Sequence, residues 1–239
     1  MLDFVLSLLY PRRCVRCSKS GAFICDDCFA GISFLEFQIC SVCQKGSIDG
    51  LTHPKCKTAL SLDGLLSAIS YKGVVKKLLY QFKYPPYLSS LKVELGKLFY
   101  EGLIQQELFA RFTENPSVII VAVPLHASRL RKRGYNQSEL LAKELSAKTG
   151  ISYSSNLLVR SAITIPQFRL KKDQRKKNML GAFSINPKVK NVAKRKVVVL
   201  VDDIVTTGAT LKECAKVLKK GGAVKVLGVT LAHEDQKNA

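Results

Sequence analysis

The residues best equipped for chemistry lie in sets far apart along the chain. Near the start, Cys14-x-x-Cys17, Cys25-x-x-Cys28, Cys40-x-x-Cys43 and His53-x-x-Cys56 repeat the two-residue spacing of metal knuckles. Each pair brings two ligands to one tetrahedral ion and two pairs complete a site, so eight ligands can close two structural zinc centres. Spacing alone permits adjacent or alternating pairs. The alternating arrangement, Cys14/Cys17 with Cys40/Cys43, gives a ribbon-like span and is the expectation taken forward. His53, which precedes Pro54, has a second reading as an exposed surface residue. With four ligands on each ion there is no open position for hydrolytic chemistry.

A second set follows the apolar run Val197-Val198-Val199-Leu200-Val201: the acid pair Asp202-Asp203, then Thr206-Thr207-Gly208-Ala209-Thr210. A buried strand that delivers two carboxylates at its carboxyl end, followed by small hydroxylated residues entering a helix, suits a sugar phosphate. The carboxylates accept from sugar hydroxyls, while free N–H groups, the helix dipole and the threonine hydroxyls favour the phosphate. Gly208 lets the backbone come close to the anion. The lysine that a P-loop places after its glycine is missing, which argues against a nucleoside triphosphatase. A simple magnesium site at the two acids is the competing reading, and the threonine-rich loop weighs against it.

A third set follows the apolar run 118–123. After Pro124 come His126 and a tight loop with four cations, Arg129, Arg131, Lys132 and Arg133, then Gly134-Tyr135-Asn136-Gln137 at a helix start. Guanidiniums suit a pyrophosphate because each can bind two oxygens. A charged surface turn explains the same residues about as well. His126 reads as a structural hydrogen-bonder and Cys214 as a core residue.

These sets need elements to position them. Residues 61–71 are apolar and partly alternating, as in a strand, and Pro85-Pro86 then breaks the chain. Leu88, Leu91, Leu95, Leu98 and Phe99 recur at helical spacing, and Leu140, Leu141 and Leu145 mark a second helix over 137–148. Further strands are expected at 118–123, 197–201 and 224–231, with a helix over 211–220 stopped by Gly221-Gly222. Strands alternating with helices predict an α/β fold with a parallel sheet flanked by helices. The boundaries expected are 1–60 for a small N-terminal zinc-binding module and 61–239 for the α/β domain.

Charge narrows the partners. The formal net charge is +20, spread unevenly: residues 1–60 hold 7 Lys/Arg against 5 Asp/Glu, the rest 31 against 13. Such an excess calls for an anionic partner, whether phosphate metabolite, nucleic acid or acidic protein. Residues 160–196 carry 12 Lys/Arg and one acid, Asp173, which fits either a solvated loop or a loop over the site. The apolar start, 2–9, has no basic leader, contains Asp3 and is far shorter than a membrane span, so a cytoplasmic protein without membrane attachment is expected.

Residues 197–210 resemble the signature of type I phosphoribosyltransferases, which bind phosphoribosyl pyrophosphate (PRPP) with magnesium. The resemblance implies that Asp202 and Asp203 take the ribose hydroxyls and that Thr206, Thr207, Gly208, Ala209 and Thr210 cradle the 5-phosphate. Thr206 stands where the purine-salvage branch often has an acidic general base, and Ala209 where it has lysine, so a 6-oxopurine acceptor is not implied. His126, Arg129, Arg131, Arg133 and 134–137 resemble the PLHxxRxRxRG(F/Y)NQ run of the ComF family of bacterial competence proteins. Arg160, Gln167, Arg175, Asn178 and Gly181-Ala182-Phe183 continue that family's pattern, and Phe82-Lys83-Tyr84 resembles its KY element. The resemblance, which spans nearly the whole chain, implies Arg129, Arg131 and Arg133 on pyrophosphate and a flexible loop with Arg169, Arg175 and Lys176. It also implies single-stranded DNA, and a further competence protein, as partners.

Overall fold

The computed structural model describes residues 12–85, 87–161 and 180–234. The apolar segment 2–9 lies outside them, as do Gln167, Arg169, Arg175, Lys176 and Asn178. No helix of the described residues is long and apolar enough to cross a membrane.

The N-terminal part holds a short helix, α1 (Asp26–Phe29), and a two-residue ribbon, β1 (Gln38–Ile39) with β2 (Gly46–Ser47). The body follows in the order β3 (Gly64–Ser70), α2 (Gly73–Lys83), α3 (Lys92–Ile104), α4 (Glu107–Thr113), β4 (Val118–Ala122), α5 (Ala127–Arg133), α6 (Gln137–Thr149), β5 (Leu158–Arg160), β6 (Phe183–Ile185), β7 (Val197–Val205), α7 (Ala209–Lys220) and β8 (Lys225–His233). Strands β3, β8, β7 and β4 form, in that order, a four-stranded parallel sheet, and β5 pairs with β6 in an antiparallel ribbon. The expected α/β fold is therefore the observed one.

Side chains alternate across a strand, and β7 shows what that does here. Val197, Val199 and Val201 face a layer built by α2, α3 and α6, through residues such as Leu78, Phe99 and Leu141. Val198 and Leu200 face the opposite layer, with Leu211, Cys214 and Leu218 of α7 and Phe183 of β6. Cys214 is fully buried there, as a core residue.

Both edges of the sheet are occupied. On the β4 side, Ile120 N–H bonds Ser152 O at 3.0 Å and Ser154 N–H bonds Ile120 O at 2.8 Å. On the β3 side the N-terminal part supplies an antiparallel partner: Leu35 N–H to Ala68 O at 3.0 Å and Ser70 N–H to Ser33 O at 2.9 Å. The buried Gln38 adds its side-chain amide, accepting from Ser67 N–H at 2.9 Å and donating to Ser67 O at 3.1 Å. Gly50, at φ +74°, presses so near that a Cβ would stand 2.4 Å from Leu65 O. The positive φ and the missing side chain are both required at this seam.

Three expectations change. The strand 197–201 continues to Val205, because β-branched Ile204 and Val205 keep pairing with Ala232 and His233 of β8. The acid pair thus sits inside the last stretch of β7 rather than after it. Helix α7 starts at Ala209, two residues earlier than its apolar stripe suggests. The cationic tight loop after β4 is a two-turn helix, α5, capped by His126 at one end and by Gly134, at φ 83°, at the other.

Candidate functional site

Strands β4 and β7 are neighbours, and the helices that follow them leave to opposite faces: α6 packs in one layer and α7 in the other. In open α/β sheets such divergence marks the crevice, outside the carboxyl ends of the strands, where ligands bind. Asp202 and Asp203 lie at this place, half-buried and 8% exposed respectively.

The acid pair is held by neighbours on three elements. Asp202 Oδ1 accepts from Ser138 Oγ at 2.8 Å and from Asp203 N–H at 2.9 Å. Asp203 Oδ1 lies 2.8 Å from Lys83 Nζ, with the two side chains 11% and 21% exposed. Burial, and then the charge of Asp203, push the Asp202 carboxyl up to about 7, against the opposing pull of Ser138 and Lys83. Burial pulls the Lys83 ammonium down, but Asp203 and then Asp202 overcome it and leave its pKa raised. The contacts on both carboxylates fall on Oδ1, and the pair is an all-oxygen donor set of the kind a hard divalent cation takes.

The threonine- and glycine-containing loop 206–210 follows directly. Gly208, at φ 69°, is the N-cap of α7 and its carbonyl accepts from Lys212 N–H at 2.9 Å. Thr207, Gly208 and Ala209 are buried, Thr206 and Thr210 half-buried, so the loop is a fixed concavity at a helix N-terminus. Lys212 Nζ donates to Thr207 O at 3.2 Å, which adds positive charge behind the loop.

The cations of the basic run do not share one face of α5. Arg129 and Arg133, four residues apart on α5, share a face, and Arg133 stacks on the Tyr84 ring 6.0 Å from its centroid. Arg131 projects from another side of the helix and is exposed. Burial, and then Arg133, lower the pKa of Arg129. Arg160, at the end of β5 over the Phe183 ring, is lowered by burial and then by Arg129. His126 accepts from Ser128 N–H through Nδ1 at 3.2 Å, the helix-capping task expected of a structural histidine.

Lys83 and Ser138 were not assigned roles by sequence reasoning. The Phe82-Lys83-Tyr84 element is their best signal, because it docks on the other distant motif. Phe82 O accepts from Tyr135 Oη at 2.9 Å and from Gln137 Nε2 at 3.0 Å, while Asn136 Nδ2 donates to Val123 O at 3.0 Å. The run 135–138 is thus a bracket that joins the end of α2, the end of β4 and the acid pair.

The cysteine pairs group as neighbours, not in alternation. Cys14, Cys17, Cys25 and Cys28 form one cluster and Cys40, Cys43, His53 and Cys56 another, the ligand atoms of each within 4.8 Å of one another. The first knuckle of each half folds back at once: Cys14 N–H bonds Lys19 O and Cys40 N–H bonds Lys45 O, both at 2.9 Å, with Ser18 and Gln44 at positive φ. His53 belongs to its cluster, with Nδ1 3.3 Å from Cys43 Sγ. Burial raises the Cys14 thiol, but N–H groups of Cys17, Cys25 and Arg16 outweigh it and bring it to about 6. Cys40 is brought to about 7 in the same way, by Cys43, His53 and Val42. Burial and the neighbouring cysteines push Cys28 and Cys56 the other way, to about 12 and about 11, so it is the four converging donors of each cluster that fit structural zinc. The second cluster also abuts the loop 206–210: Ser41 O would stand 3.8 Å from a Cβ on Gly208.

Comparison with known proteins agrees with these two parts. Residues 5–57 match the double zinc ribbon domain and residues 120–238 the phosphoribosyl transferase domain. DNA utilization protein YhgH of Salmonella typhimurium is 29% identical over 221 residues, covering 85% of this chain and 93% of that protein. Competence protein F of Haemophilus influenzae is 39% identical over 107 residues, 45% of this chain and 46% of the relative. Competence protein ComFC of Bacillus subtilis is 25% identical over 221 residues, 89% and 85% of the two chains. This chain therefore joins a double zinc ribbon domain to a phosphoribosyl transferase domain and is a homologue of the ComF and YhgH competence and DNA utilization proteins.

Proposed function

We propose that the crevice binds PRPP, with Asp202 and Asp203 on the ribose hydroxyls, Thr206–Thr210 on the 5-phosphate (residues 206–210), and Arg129 and Arg133 facing the pyrophosphate, with Arg131 at the periphery. The observation that carries this reading is the continuity of β7, the acid pair, the glycine-capped loop and α7, which sets sugar and phosphate ligands one after the other. Asp202 and Asp203, as oxygen donors, would hold magnesium accompanying PRPP, and the ion would supply neutralisation of charge on the leaving group. The same two carboxylates would stabilise positive charge developing on the ribose. Thr206 offers no proton-accepting carboxylate, so the reading is stronger for binding than for turnover.

Calorimetry tests it. The Asp202→Asn/Asp203→Asn double variant is expected to lose PRPP affinity at least tenfold, and unchanged binding would sink the assignment. Ribose hydroxyls need the ionised form of Asp202, so affinity is expected to rise with pH through about 7. If only the ionised carboxyl binds, the gain between pH 6 and 8 is about tenfold. The single variant Asp202→Asn should lose that dependence.

A second reading, binding of single-stranded DNA within DNA uptake or utilization, rests on the net charge of +20 and on the names its relatives carry. Phosphate neutralisation by Lys and Arg predicts a steep fall of affinity with salt. A flat salt dependence would remove a basic-groove mechanism. The same assay with a partner competence protein in place of DNA tests whether the ribbons act as an adaptor.

A further inference from the structure

PRPP is strongly anionic, yet the floor of its proposed pocket carries two carboxylates. One cation already stands among them: Lys83 Nζ is 2.8 Å from Asp203 Oδ1, and both side chains are largely withdrawn from water. A buried ion pair of this sort rarely improves stability over a well-packed apolar pair, which makes its presence in a crevice informative. Its neighbours are fixed on the basic side of the pocket. The carbonyl of Phe82 is held by Tyr135 and Gln137, and the ring of Tyr84 lies under Arg133. The backbone at Lys83 is thus tied to the segment that carries Arg129 and Arg133, while the ammonium reaches the ribose acids.

We infer that Lys83 is a ligand-binding residue with two stations, counter-ion of Asp203 when no ligand is bound and partner of the pyrophosphate once ribose hydroxyls have replaced it on Asp203. This rests on the PRPP reading above. A lysine suits the exchange, because its flexible four-carbon stem lets the ammonium move while the backbone stays bolted. The exchange also keeps Asp203 supplied with a donor throughout, first the ammonium and then a hydroxyl, so no buried carboxylate is left unpaired.

The consequence is an opposite response to two related ligands. PRPP would use the released ammonium. Ribose 5-phosphate has no pyrophosphate and must displace Lys83 from Asp203 with nothing to receive it. Calorimetry with magnesium on the full chain, on Lys83→Met and on Lys83→Arg, against both ligands, separates the cases. Lys83→Met is expected to weaken PRPP at least tenfold while ribose 5-phosphate binds as well as before or better. Lys83→Arg, which keeps the charge, should recover most of the PRPP affinity. A parallel loss of both ligands in Lys83→Met overturns the inference and leaves Lys83 as a structural counter-ion. Should Lys83→Met fail to give a cooperative melt, the neutral polar variant Lys83→Gln decides: a lowered ratio of PRPP to ribose 5-phosphate affinity supports the exchange, and an unchanged ratio overturns it. A wild-type chain that binds neither ligand overturns the PRPP reading itself, which the variants alone do not address.

Discussion

Replacing Cys14 or Cys28 by serine is expected to unfold the first ribbon and to lower the melting temperature more than Cys43→Ser does. Metal supplies about 10–16 kcal/mol of apparent binding energy to small zinc domains, so losing one thiolate removes a large share of what holds a ribbon together. The difference between these substitutions follows from where the replaced ligands sit. Cys14, Cys25 and Cys28 are buried and share the main core with Ile32, Val75, Leu79 and the rest of the α2 and α3 layer. Cys43 is exposed and lies in the second cluster. Metal analysis should give two zinc ions per wild-type chain and one for each variant. Equal melting shifts, or loss of both ions in each variant, would show that the two ribbons unfold as one unit.

Phe82→Ala should act on stability and binding together. The ring is fully buried between α2 and the body, and large-to-small changes of this kind cost about 3–5 kcal/mol. Its backbone carbonyl is also the shared acceptor of Tyr135 and Gln137, so loosening the end of α2 displaces Lys83 and the bracket beside the acid pair. Leu78→Ala is the control. Leu78 is equally buried on the same helix but one turn away, and its loss costs about 2–5 kcal/mol. Thermal melts should fall for both. PRPP affinity of the folded protein should fall about tenfold or more only for Phe82→Ala, and equal affinities in the two variants would break the link between α2 and the site.

Much of this was readable without a structure. The continuous run Val197–Val201 of β7, written as five apolar residues ahead of two acids, placed the carboxylates at a sheet end because a strand with apolar residues on both faces must be buried. What sequence could not supply was end points and partners. The continuous apolar run stops at Asp202, although pairing with β8 runs on to Val205, because backbone hydrogen bonds do not depend on side-chain polarity. Helix α5 was hidden for a related reason: its side chains include none that is buried, so it has no apolar stripe to betray it. The cysteine pairing was open because adjacent and alternating ribbons use the same spacing, and only the three-dimensional grouping of the ligand atoms distinguishes them. The contact of Lys83 with Asp203 joins positions 120 residues apart in number, which no local pattern encodes.

The segment 33–38 that lies along β3 has a consequence for how the chain fails. Its backbone and the Gln38 amide, which imitates a peptide group by serving both the N–H and the C=O of Ser67, use up hydrogen-bonding positions that would otherwise form a bare sheet edge. Exposed edges of parallel apolar strands are templates for pairing with other chains. Once the ribbons let go, Leu65, Ala68 and Ile69 of β3 offer such a template. Metal-depleted protein is therefore expected to self-associate through intermolecular strand addition, with concentration-dependent turbidity and an amyloid-type dye response, and the zinc ribbons act as protection against aggregation as well as scaffold.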